Sequence, residues 1–153
     1  MNDRGKLNLD ALREAGGFIF WLPGHPLARN SGIHQTHKNK LQAKYQEDVG
    51  WAAKAAISTR TSEWRTRHIP MNGPIALGVT VFRKWPATNK PDLDNYVKLV
   101  CDAMTGARIF HDDAQVVEFL PGTRKVESQL EGMRIILIPQ GRLEALGFGG
   151  SDL

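Results

Sequence analysis

Lys90-Pro91-Asp92-Leu93-Asp94-Asn95-Tyr96-Val97-Lys98-Leu99-Val100-Cys101-Asp102-Ala103-Met104 is the stretch from which the rest of this chain can be read. Placed at about 100° per residue on a helix, Asp94, Asn95, Lys98 and Asp102 fall within one arc of roughly 100°. Leu93, Tyr96, Val97, Leu99, Val100, Cys101, Ala103 and Met104 fill the remainder. A helix that is apolar around most of its circumference is a buried one. The pattern therefore predicts a helix over 92–104 with its charges confined to one narrow strip. That strip opens either to solvent or to a cleft.

The flanking segments supply a sheet for this helix to pack on. Before it, Ile75 to Trp85 alternates Ile75, Leu77, Val79 and Val81 at spacing two, as a strand does. Pro86 to Pro91 is a loop. After it come two more strands, Gln115 to Phe119 and Met133 to Ile138, with Pro121-Gly122 as a break. Towards the N-terminus, Lys38 to about Ile57 carries Leu41, Tyr45, Val49, Ala52 and Ala56 at steps of three or four, the spacing of a helix interrupted only by Gly50. Residues 23–37 hold Pro23, Gly24, Pro26, Asn30, Ser31 and Gly32 and read as a loop. Phe18-Ile19-Phe20-Trp21-Leu22 reads as a buried strand, and Asn8 to Ala15 as a short helix stopped by Gly16-Gly17. The order β-α-β-α-β-β predicts an α/β (mixed α+β) fold in which helices cover one face of a small mixed sheet.

The chain has 153 residues, enough for one domain with its own core. The expected division is an N-terminal extension over 1–17, one domain over 18–138 and a Gly-rich tail over 139–153. The formal net charge of +4 raises the expectation of a polyanionic partner modestly, since many soluble proteins share such a balance. Cys101 is the single cysteine, which excludes an internal disulfide and fits a reducing compartment. The sequence has no run of about 20 apolar residues and no apolar segment of signal-peptide length near Met1. The expectation is a cytoplasmic protein without a membrane span.

The chemistry rests on carboxylates. Asp92 and Asp94 bracket the start of the helix, where Pro91 restricts the backbone leading into it. Asp112 and Asp113 follow a turn and precede a strand, so the fold can bring them to the same place. Two carboxylates about 4 Å apart repel by roughly 4 kcal/mol at an effective dielectric near 20. Three gathered together call for a cation, and oxygen ligands select a hard one. Such a centre activates water and stabilises charge on a phosphate, with Lys98 one turn along to neutralise it. A bland alternative stands beside this. Asp92 can be a helix cap, Asp94 and Lys98 an exposed ion pair, and Asp112 and Asp113 ordinary turn residues.

Taken together, Asp92-Leu93-Asp94-Asn95, Lys98, Gly106 and Asp112-Asp113-Ala114-Gln115-Val116 resemble the RusA family of Holliday junction resolvases. Lys90-Pro91 before them and Leu22-Pro23-Gly24-His25-Pro26 near the N-terminus are similar to the family pattern too. The resemblance spans roughly 18–138 and is strongest over 90–117. It implies a Mg²⁺-dependent endonuclease, with Mn²⁺ as a substitute, that acts in recombination and repair. Asp92, Asp94 and Asp113 would be the catalytic and metal-binding acids and Lys98 the catalytic lysine, with Asp112 a less defined neighbour. The resemblance also implies a homodimer whose two sites nick opposing strands of a four-way DNA junction, an arrangement that matches two-fold symmetry on both partners.

A nuclease needs phosphate contacts beyond its metal. Residues 29–44 carry Arg29, His34, His37, Lys38, Lys40 and Lys44 with no acid among them. Lys84, Lys90, Arg124 and Lys125 flank the catalytic segment. Lys90, Lys38, Lys40, Arg29 and Lys125 are the first candidates for DNA contact, against the plain reading of a solvated basic face. Irregular spacing and the lack of a nearby cysteine argue against zinc at His25, His34 and His37. Trp21, Trp51, Trp64 and Trp85 are expected in the core rather than as base-stacking platforms. Two other functions fit the fold. One is a catalytically idle binder of branched DNA. The other is a metal-dependent hydrolase of small phosphoesters, which the basic stretch and the lack of a nucleotide-binding motif disfavour.

Overall fold

The structure, a computed structural model, describes residues 7–29, 36–88 and 91–142, with only the backbone of 36–39. Four helices and five strands follow one another as α1 (Leu9–Glu14), β1 (Phe18–Pro23), α2 (Thr36–Ser58), α3 (Ser62–His68), β2 (Ile75–Arg83), α4 (Leu93–Gly106), β3 (Val116–Phe119), β4 (Arg124–Glu127) and β5 (Gly132–Pro139). The fold is α+β with one mixed sheet. Its strands run β1-β5-β2-β3, and β4 also pairs with β2, beyond β3. β5 is antiparallel to both β1 and β2, whereas β3 and β4 are parallel to β2. The parallel β2–β3 pair requires a crossover between them, and α4 is that crossover.

The sheet has a different layer on each face. Ile75, Leu77, Val79 and Val81 of β2 point into the main core with Phe18, Phe20, Met133, Ile135 and Leu137. The inner faces of α2 (Tyr45, Val49, Ala53, Ile57) and α4 (Tyr96, Val97, Val100, Met104) close that core. The alternate residues of the sheet, Ala76, Ile136 and Ile138, meet Leu12 of α1, Ala15 just past its end and Leu120 on the other face. β2 is therefore buried on both sides from Ile75 to Val81, where its period-two pattern suggests one covered face. α2 runs unbroken through Gly50. A Cβ there would lie 3.2 Å from the Cβ of Ala107, so the glycine permits the close approach of α2 to the end of α4.

Two elements lack a signal in the sequence pattern. α3 buries none of its residues and is started by Thr61, whose side chain accepts from the Trp64 amide. β4 is mostly exposed, with only Val126 turned inwards. Neither carries the apolar periodicity that marks a buried element. Of the tryptophans expected in the core, Trp64 and Trp85 pack against it while Trp21 and Trp51 do not. Trp64 and Trp85 are part-buried and donate their indole N–H groups to the carbonyls of Arg13 and Val126. Trp21 is 39% exposed and Trp51 is 67% exposed.

Trp21 lies across the sheet over Gly132, where a Cβ would fall 2.3 Å from Cζ2 of the indole and 2.7 Å from the Leu22 carbonyl. Backbone on one side and a ring on the other leave little room to yield. Gly132→Ala is expected to destabilise the fold by about 1–3 kcal/mol, the usual cost of overpacking. Equilibrium denaturation in urea, with an unchanged slope and a lower midpoint, measures it.

Candidate active site

α4 places the polar strip. Tyr96, Val97, Leu99, Val100, Cys101, Ala103 and Met104 are buried, while Asp94 and Lys98 are exposed and Asp102 is half-buried. Asp92 stands at the N-cap position but makes no side-chain capping bond. Among the ion pairs of the described residues there is none between Asp94 and Lys98. Neither the cap nor the helix pair of the bland reading is therefore formed, and both carboxylates at this end are free of those duties.

The other end of the strip holds the acidic pair. Asp113 lies within side-chain hydrogen-bonding reach of Asp102. The Thr105 hydroxyl, one turn beyond Asp102, is 2.5 Å from Oδ1 of Asp113 and 3.0 Å from the Cys101 carbonyl, and its single proton serves one of them at a time. The Arg29 guanidinium is ion-paired to Asp102 from above. Burial pushes the Asp102 carboxyl up from its usual range; Arg29 pulls it back, the neighbouring Asp113 charge pushes it up further, and Lys98 pulls it back. Beneath the pair, burial with help from both carboxylates pushes the Cys101 thiol up to about 12, which keeps it an unreactive core residue.

Asp113 is held there by its neighbours. Asp112 caps the short 3-10 turn Asp113–Gln115, accepting from the Ala114 amide at 2.8 Å. Gln115 Oε1 accepts from the amides of His111 (2.7 Å) and Asp112 (3.0 Å). Its Nε2 donates to the carbonyls of Met71 (2.9 Å) and Gly73 (3.0 Å). His111 Nε2 is 3.0 Å from the Asn72 side-chain oxygen. The adjacent acids thus have separate roles. Asp112 shapes the turn and Gln115 ties it to the chain before β2. Both Asp112 and Asp113 line an open groove shared with Arg29, Asp102, Thr105 and His111, and Asp113 is the one that meets Thr105 and Asp102 there.

The structure brings Asp113 to Asp102 and leaves Asp92 and Asp94 at the far end of α4. Eight residues at about 1.5 Å each separate Asp94 from Asp102, roughly 12 Å along the axis. Among the described residues no three Asp, Glu, His or Cys side chains gather as a ready metal site. Arg29 spans the interval: its amide donates to the Asn95 carbonyl at 3.1 Å near the first turn, and its guanidinium reaches Asp102 two turns on. Asp102 is visible in the sequence as the last member of the polar strip, yet only the fold shows it beside Asp113. Its signal is the spacing of eight from Asp94, which keeps two residues on one helix face. Arg29 belongs to the acidic groove by its pairing, a role that sequence position alone does not give it.

Of the other basic candidates, Lys90 lies outside the described residues, as does the side chain of Lys38. Lys40 is exposed on α2. Lys125 Nζ donates to the Pro91 carbonyl at 3.3 Å and sits 5.1 Å from the centre of the Trp85 ring, next to the segment that starts α4. His25 pairs with Glu131.

The donor set fits a hard divalent cation. Two carboxylates line one open groove, and burial, with the neighbouring Asp113 charge adding to it, raises the Asp102 carboxyl. Because the folded pKa lies above the unfolded one, the ionised Asp102 costs stability in full above its folded pKa. That cost disappears as pH falls below the unfolded pKa. Asp102→Asn is therefore expected to raise the melting temperature at pH 7 in the presence of chelator, despite losing the Arg29 pair, and the gain should shrink near pH 4. Paired thermal melts at the two pH values check the sign. Gln115→Ala removes the partner of two amides and two carbonyls, most of them reachable by water, and is expected to cost about 1 kcal/mol in urea denaturation.

Comparison with curated proteins finds no match. A protein-family model described as "Endodeoxyribonuclease RusA" matches residues 23–137, from the end of β1 through most of β5, and so takes in the polar strip of α4 and the turn that carries Asp113. The chain belongs to the RusA endodeoxyribonuclease family.

Proposed function

We propose that this chain is a cytoplasmic, divalent-metal-dependent, structure-selective endonuclease that resolves four-way DNA junctions by paired nicks, acting as a homodimer in recombination and repair. Family membership supports the nuclease activity. The single observation that carries the chemistry is the like-charged Asp102–Asp113 pair in an open groove beside Arg29 and Lys98. No helix of the described residues is long and apolar enough to cross a membrane.

Asp113 and Asp102 would hold Mg²⁺, or Mn²⁺ in its place, leaving the remaining positions to water and phosphate oxygens. Bound there, the cation would lower the pKa of water and offset charge on the phosphate. The residues of the chain do the rest. Thr105 orients the Asp113 carboxylate, and Gln115 holds the turn that presents it. Lys98, midway along the strip, is placed to offset charge that grows on phosphate oxygens. Asp92 and Asp94, exposed at the start of α4, would hold a cation at a second acidic point, and that cation would offset phosphate charge at this end of the strip. Arg29 is released from Asp102 to contact phosphate when another cation neutralises that acid. Exposed Lys40 and Lys125, with Lys38 and Lys90, supply further contacts to the DNA backbone.

A catalytically idle DNA binder of the same family would not need two acids brought together in one groove, and a small-phosphoester hydrolase would not need the basic stretch of residues 29–44.

The test is cleavage of a synthetic mobile four-way junction with and without Mg²⁺, analysed on both strands. The expected products are symmetric nicks with 5′-phosphate and 3′-hydroxyl ends. Asp113→Asn and Asp94→Asn are each expected to lower the cutting rate by about a hundredfold or more, in line with the loss of a group that stabilises transition-state charge, while junction binding persists. Full cutting by both variants would defeat the assignment of the strip, and cutting of linear duplex in preference to junction would defeat the proposed substrate.

A further inference from the structure

A second groove adjoins the acidic one. It runs between α2 and α4 and is lined by Gln46, Glu47, Trp51, Lys54, Ala103 and Ala107, among others. Gln46 and Gly106 line both grooves, so the two are continuous around the end of α4.

Trp51 is the feature that needs explaining. It is 67% exposed, the most open of the four tryptophans, while the next residues of α2, Ala52 and Ala53, turn into the protein. Lys54 Nζ stands 5.0 Å from the centre of its ring. A large flat ring left in water, with an ammonium group over it and a groove alongside, combines the two elements that hold single-stranded nucleic acid: a stacking platform and a cation for the backbone. The polar ends of Gln46 and Glu47 border the same groove and offer hydrogen-bond partners to the edge of a base. The floor at Gly106 is open, since a Cβ there would meet nothing within 4 Å.

We infer that Trp51, with Lys54, is a nucleobase-stacking subsite that seats one unstacked base of the DNA substrate next to the carboxylate pair. The inference rests on the nuclease reading above and deepens it, because it names how a branched substrate is told from a linear one. Where a junction is held open, a base at the branch point has no continuous duplex on one side, so it costs less to splay than a base inside duplex. An indole then replaces the lost stacking partner. Continuous duplex has no such base to give, and the subsite favours the branch through that difference.

The experiment places the fluorescent base 2-aminopurine beside the branch point of a synthetic four-way junction and titrates it with the full chain in Ca²⁺. Fluorescence anisotropy reports affinity for the junction and for a linear duplex of the same sequence. Wild type is expected to quench the 2-aminopurine. Trp51→Ala is expected to lose that quenching and to bind the junction about ten-fold more weakly, within the range that stacking of one base supplies. Its duplex affinity should be unchanged, and Trp51→Phe should restore most of the junction affinity. The residue is exposed, so the fold should survive the change, as circular dichroism would show. Unchanged junction affinity and quenching in Trp51→Ala would overturn the subsite while leaving the nuclease reading intact. A shift of Trp51→Ala to a smaller species in sedimentation would also overturn it, by showing that the ring covers a second copy of the chain. A wild-type chain that neither binds nor cuts the junction would defeat the nuclease reading and the subsite with it.

Discussion

Two carboxylates that repel one another, Asp102 and Asp113, are held together by the packing of everything around them. The first is carried on a helix buried on all sides but one. The second is carried on a turn clamped by the four hydrogen bonds of Gln115. Neither carrier can move away without giving up core contacts or breaking the hydrogen bonds of Gln115. Burial first, and the neighbouring Asp113 charge after it, hold the Asp102 carboxyl above its usual range in the folded protein. Burial of a charged group opposes stability at this point, as commonly happens at sites where function and stability trade against each other.

The topology explains why the pair can exist at all. α4 connects β2 to a parallel neighbour, so its C-terminal end must return to the edge of the sheet where β3 begins. The chain leaving α4 passes Ile109 and Phe110, both buried, before it reaches Asp112 and Asp113. That short, anchored connection brings Asp113 back alongside the last turns of the helix. A β-α-β unit thus places acids from two separate segments together without a dedicated loop.

Arg29 links the acidic groove to the rest of the surface. Its backbone is tied to the first turn of α4 and its side chain to the third, so it lies along the strip that also carries Lys98. In the chain by itself it offsets part of the Asp102 charge. The same guanidinium has the planar fork suited to phosphate. Lys125 has a comparable place at the start of the helix, bound to the Pro91 carbonyl and stacked on Trp85. Positive groups are in this way arranged along both ends of one acidic strip.

From the sequence alone come the helix over 92–104, its buried circumference and its single polar strip, along with the strands at 18–22, 75–85, 115–119 and 133–138 and the family likeness. These are written in local periodicity and turn chemistry, which neighbouring residues along the chain suffice to express. α3 and β4 are not legible there, because one buries nothing and the other turns a single residue inwards. The site is legible in part: the acids and the lysine can be named, but not which of them meet. Tertiary structure alone decides that Asp113 stands beside Asp102 rather than Asp94, that Asp112 is a cap, that Arg29 reaches the groove and that Trp51 faces water. Each of these depends on distances between segments far apart in the chain, and those distances are set by how the helices and the sheet pack.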